Sequence, residues 1–146
     1  MRKLVLTAAL LALAPAAQAQ LPFMRTRPPA QPELTGIDAM RAQFLATAGS
    51  DTIMFGNGSA ILAAPARASL AAQAQWLRQH PEVLVRIEGY GDMGDTRDHA
   101  LALGARRSEQ VRAYLVLLGV PAAQIEVTSF GKERPGAARA VTVLVR

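Results

Sequence analysis

Cysteine is absent from this chain, so no disulfide and no thiol-borne lipid can be built on it. At 146 residues a single domain does not require disulfides, and their absence leaves the compartment open. Lysine is nearly missing as well. Past the first few residues Lys132 stands alone, and the remaining positive charge is arginine, which grips carboxylates through a two-bond fork. Aromatics make up 5% of the chain and never interleave with a basic cluster, which excludes an ordinary nucleic-acid surface. The two histidines, His80 and His99, are isolated and read as exposed helix-end residues rather than general bases. Ser129 has no histidine near it in any recognisable motif, and no paired-carboxylate cleft or metal set is visible. Asp92, Asp95 and Asp98 recur every three residues but lack the order of a calcium loop, so they read as a solvated helix start. Neither catalysis nor a cofactor is expected.

What is present begins with an export signal. Arg2 and Lys3 precede an apolar run from Leu4 to Ala14 that is too short to span a bilayer, and Ala17-Gln18-Ala19 supplies small residues for cleavage. Residues 1–19 are therefore expected to be a signal peptide, with a mature start at Gln20. No second long apolar stretch follows, which argues against a retained anchor. Loss of Arg2 and Lys3 lowers the formal charge from +5 to +3, since 16 basic residues become 14 against 11 acidic ones. Residues 20–36 hold Pro22, Pro28, Pro29 and Pro32 without apolar periodicity and read as a flexible tether.

From 37 to 146 the patterning is that of one folded domain. Ile37, Met40, Phe44 and Leu45 fit a short leading helix. Asp51 to Phe55 reads as a strand, Gly56-Asn57-Gly58-Ser59 as a turn, and Pro65 opens a helix to about His80. Leu70, Ala74 and Leu77 form its buried stripe, with Trp76 at the margin. Glu82 to Glu88 alternates, with Val83, Val85 and Ile87 on one side, as a half-buried strand does. A second long helix is expected from about Thr96 to Leu118, with Leu101, Val111, Leu115 and Leu118 inward and Gly119 ending it. Gly104 could bend or divide that helix. Ile125 to Phe130 and Ala140 to Val145 supply two last strands. The order strand, helix, strand, helix, strand, strand implies an α+β fold, a mixed four-stranded sheet with both long helices on one face.

The segment from Ile87 to Val111 carries the chemistry. Glu88-Gly89-Tyr90-Gly91-Asp92 delivers a carboxylate into a glycine-rich turn, and Leu103-Gly104-Ala105-Arg106-Arg107 follows on the helix. An acid and a guanidinium around a strand-to-helix turn suit a ligand bearing both an ammonium and a carboxylate. A helix leading straight away from Asp92 would carry Arg107 roughly 15 Å along its axis, at ~1.5 Å per residue. The plainer readings are a capping role for Asp92, and a solvated face or a bridge to Glu88 or Glu109 for Arg107. Gly89 to Gly94 also spells Gly-x-Gly-x-x-Gly, but Asp92 and Asp95 would set carboxylates against a pyrophosphate, so a dinucleotide site is rejected.

This central segment resembles the OmpA-like peptidoglycan-binding domain, particularly that of the peptidoglycan-associated lipoproteins. Four further stretches fit in order: Asp51 to Phe55, Ala-Gln-Trp-Leu around Trp76, Tyr114 to Val120, and Ser129 to Pro135. The resemblance implies a βαβαββ sandwich from about Ser50 to Arg146. It also implies a site in which Asp92 and Arg107 hold a diaminopimelate residue of the peptidoglycan stem, with Arg139 as a third contact. Three departures bear on the pocket: Tyr90-Gly91 replaces His-Thr, Ala100 replaces an asparagine, and the loop after Pro135 is shortened. Gln20 stands where a lipoprotein has its lipidated cysteine, so no lipid anchor is expected. The function implied is non-covalent peptidoglycan binding in the periplasm, in association with the outer membrane or cell wall. The alternative is a degenerate relative acting as a protein-interaction module of the envelope, beside the Tol system.

Overall fold

The computed structural model describes residues 35–136 and 138–146. The expected signal, and the tether up to its last two residues, lie outside this range. Seven principal elements follow one another: α1 (Gly36–Ala48), β1 (Thr52–Met54), α2 (Ala64–Gln79), β2 (Val85–Tyr90), α3 (Arg97–Leu117), β3 (Ile125–Gly131) and β4 (Arg139–Leu144), with a 3₁₀ turn at Ala122–Gln124 before β3. The four strands form one sheet in the order β1-β4-β2-β3. β4 runs antiparallel to both β1 and β2, while β2 and β3 are parallel. A parallel neighbour needs a crossover, and α3 supplies it. The α+β reading with a mixed sheet is the fold observed.

Strand alternation decides what each face meets. Val85 and Ile87 of β2, with Ala140 and Leu144 of β4, enter the core beneath the helices, where α2 contributes Leu70, Ala74 and Leu77. Pro65 sits in the first turn of α2, where its missing N–H costs nothing. A polar link crosses the same layer: Thr142 donates to Gln73 Oε1 at 2.7 Å, and Gln73 donates to the Ser50 carbonyl at 2.9 Å. Gln124 donates to the Leu77 and His80 carbonyls at 3.2 and 2.8 Å, capping the open end of α2.

Four expectations change. Trp76 is not marginal but 3% exposed, because α1 lies on α2. The Phe44 ring meets Trp76 edge-on at 5.3 Å, and His80, expected to be exposed, stacks on the indole at 4.0 Å. β2 starts and ends later than its alternation suggested, since Pro81 and Glu82 turn and the pairing with β3 continues through Gly89 and Tyr90. Leu101 is 46% exposed, and the inward line of α3 is Ala100, Leu103, Gly104, Arg107, Ser108, Val111 and Leu115. That line contains the small residues that let the helix lie close to the sheet. α3 is continuous through Gly104.

Candidate functional site

The site is made by a reversal of the chain. β2 ends at Tyr90, a short turn follows, and Thr96 caps α3 by accepting from the His99 N–H at 3.3 Å. α3 then runs back along β2 instead of leading away from it. Ala100 lies against Gly91, and Gly104 and Ser108 lie against Gly89. A Cβ at Gly89 would overlap the Gly104 carbonyl, and one at Gly91 would overlap the Ala100 backbone. The Gly-x-Gly pattern therefore serves close packing of helix on strand. This return removes the separation expected for a straight departing helix: Arg107 Nη2 lies 2.9 Å from Asp92 Oδ1.

Arg107 is the largest fully buried side chain among the described residues, with 0% exposure. Its Nε donates to the Ser59 carbonyl at 2.8 Å, Nη1 to that of Tyr90 at 2.8 Å, and Nη2 to that of Gly56 at 3.0 Å. Phe55 presents its ring 5.4 Å from the guanidinium carbon. The alternative partners are engaged elsewhere, Glu88 with Arg134 at 3.3 Å and Glu109 with Arg112 at 3.6 Å.

Asp92 is 7% exposed. Its Oδ2 accepts from the Gly58 N–H. Oδ1 is the oxygen that pairs with the Arg107 guanidinium. Burial alone would push the carboxyl up, but the Gly58 N–H and the guanidinium outweigh it and hold Asp92 below its ordinary value. Asp92 does not cap α3, since Thr96 does.

Arg139 is brought to the same end of the sheet, but against neither of the other two. It opens β4, and its guanidinium stacks 4.5 Å from the centre of the Tyr90 ring. Nη2 donates to the Pro135 carbonyl at 3.0 Å. Beside it, Arg134 stacks on Phe130 at 3.7 Å, and Tyr90 donates its hydroxyl proton to Glu88 at 2.9 Å. These stacks tie Arg134 to the end of β3 and Arg139 to the end of β2. Backbone bonds join the three segments: Ala138 donates to the Gly91 carbonyl at 3.3 Å and accepts from the Phe55 N–H at 2.7 Å.

The residues that sequence reasoning missed are the backbones of Gly56, Gly58 and Ser59. They were legible only as a turn, and nothing local marks the carbonyls of a turn as partners of an arginine 48 residues later. A separate cleft of about 370 Å³ lies between β1 and the start of α2. Its walls are mostly apolar and include none of Asp92, Arg107 or Arg139.

The sequence pattern of the OmpA family matches residues 54–143. The peptidoglycan-associated lipoprotein of Rhizobium meliloti is 44% identical over 105 residues, which cover 64% of this chain and 60% of the relative. That of Pseudomonas aeruginosa is 42% identical over 84 residues, 58% of this chain and 49% of the relative. The chain thus spans about half to three-fifths of the length of these curated relatives. The crystal structure of the peptidoglycan-associated lipoprotein from Burkholderia pseudomallei superposes with a TM-score of 0.64 at 35% identity, covering 66% of this chain and 92% of that one. The C-terminal domain of Helicobacter pylori MotB shares the fold at a TM-score of 0.61 and 20% identity, over 66% of this chain and 84% of the other. A family pattern running from the first strand into the last, on a sheet of the same architecture, leaves one conclusion: this chain belongs to the OmpA family.

Proposed function

We propose that the domain binds peptidoglycan non-covalently in the periplasm, recognising the diaminopimelate head of a peptide stem with Asp92, Arg107 and Arg139. The carrying observation is the joined pair of Asp92 and Arg107, a carboxylate held anionic at the end of the sheet where three segments meet. The relatives support it, since the curated proteins matched at 44% and 42% identity are named peptidoglycan-associated lipoproteins. The ligand class follows from charge. An anionic carboxylate accepts an ammonium, and a nearby guanidinium takes a carboxylate, the two ends of a free amino-acid head group. Each such hydrogen bond is worth about 1.5–3 kcal/mol when shielded from water, against ~0–1 kcal/mol for an exposed ion pair.

Co-sedimentation with purified sacculi tests the reading. The wild-type protein pellets with sacculi, and Asp92→Ala, checked for folding by circular dichroism, stays in the supernatant. A wild type that remains soluble overturns peptidoglycan binding and leaves the envelope protein-interaction reading.

A further inference from the structure

β1 is an edge strand whose outer side is closed at Thr52 and open at Met54. The bonds from the Phe55 N–H to the Ala138 carbonyl and from the Thr142 N–H to the Asp51 carbonyl fix the phase of the ladder. Asp51, Ile53 and Phe55 therefore bond toward β4, while the backbones of Thr52 and Met54 point away from it. The Ser50 hydroxyl satisfies Thr52 on both counts, donating to its carbonyl at 3.1 Å and accepting from its N–H at 3.0 Å. The N–H and carbonyl of Met54 have no partner among the described residues. The apolar cleft of about 370 Å³ lies along this same edge, walled on its far side by Ala63, Pro65 and Ala66.

Charge around the cleft has one sign. No Asp or Glu occurs between Asp51 and Glu82, the stretch that holds β1, the following turn and all of α2. Arg67, in the first turn of α2, is exposed and makes no ion pair among the described residues. Its guanidinium donates to the Leu62 carbonyl at 2.9 Å, next to the cleft wall at Ala63.

We propose that this edge is a docking site for an extended, acidic segment of another protein, independent of peptidoglycan binding. The main chain of the segment adds a strand beside β1 and makes both outward hydrogen bonds of Met54. Every second side chain of the segment enters the cleft, and a carboxylate at one end pairs with Arg67. Ser50 keeps the rest of the edge closed, so recognition falls on the cleft and on charge. A second copy of this chain fits less well, because pairing β1 with β1 brings together two acid-free, arginine-bearing edges.

Nuclear magnetic resonance titration of the isotope-labelled protein with short synthetic peptides tests this. The peptides alternate valine and threonine and carry a pair of aspartates at one end or the other, since either strand direction serves. Controls carry lysines instead. An acidic peptide shifts the Met54 amide and those of the cleft wall at about 1 mM or below, and its lysine counterpart binds about tenfold more weakly. Arg67→Glu reverses that order. N-methylation of alternate amides along one edge of the peptide abolishes binding, and along the other edge leaves it. Met54→Pro, which removes the outward N–H, abolishes binding too; should it fail to fold, the two N-methyl patterns decide. The proposal is overturned by the absence of any shift with the acidic peptides, by equal binding of the lysine peptides, by indifference to both N-methyl patterns, or by shifts centred on the turn at Asp92. Sedimentation showing a dimer that Met54→Pro dissolves would assign the edge to a second copy and overturn it as well.

Discussion

Asp92 is charged where burial would make it neutral, and that sets a pH dependence. Its carboxyl titrates below the ordinary value in the folded protein, so as pH falls the unfolded chain takes up the proton first. The stabilisation is therefore complete above about pH 4, the ordinary carboxylate range, and is lost as pH drops through the lower folded value. Denaturant melts of wild type and Asp92→Asn should differ by about 3 kcal/mol at neutral pH, the scale for breaking a buried pair, and the gap should narrow as pH falls below the ordinary carboxylate range. An unchanged gap across that range would show that the loss is one of packing alone. At this scale the sequence was informative about identity and poor about partners. The motif pointed to Asp92 and Arg107, but their direct contact depends on a chain reversal that no local pattern encodes.

The reversal belongs to the elements, and glycine makes it possible. Gly89 meets the backbone of α3 directly, while a Cβ added at Gly94, in the turn before that helix, would meet nothing within 4 Å. Gly89→Ala should therefore lower stability by about 3 kcal/mol as the helix is forced off the strand. Gly94→Ala should raise it by up to about 1 kcal/mol through the unfolded state. Equal effects in thermal melts would contradict the close approach. Helix α2 and the alternation of β2 were legible because apolar spacing is strong there. On α3 apolar spacing points inward at Leu101, which is exposed, because small side chains rather than large apolar ones face the sheet there. Its true line runs through Ala100, Gly104 and Ser108, which bury little apolar surface but allow contact. Tyr90 and Ala100, met in the sequence as departures from the family, have structural roles: Ala100 fits Gly91, and Tyr90 carries Arg139.

Across the whole molecule, α1 closes the core over α2 through Phe44, and the chain's one tryptophan lies in that seam. Trp76 fluorescence should thus be blue-shifted when folded and should redden in the same cooperative transition that circular dichroism reports. Phe44→Ala should cost about 3–5 kcal/mol and shift both signals together. An emission change well ahead of the loss of helix would mean that α1 leaves on its own. The Arg107 clasp has a consequence for timescale. Gly58 lies in an exposed turn, yet its N–H is held by Asp92, and the carbonyls on either side, those of Gly56 and Ser59, are held by Arg107. In deuterated solvent that amide should exchange as slowly as the centre of β2, while the neighbouring Asn57 amide exchanges early. A stretch of surface backbone is thereby tied to the lifetime of the interior.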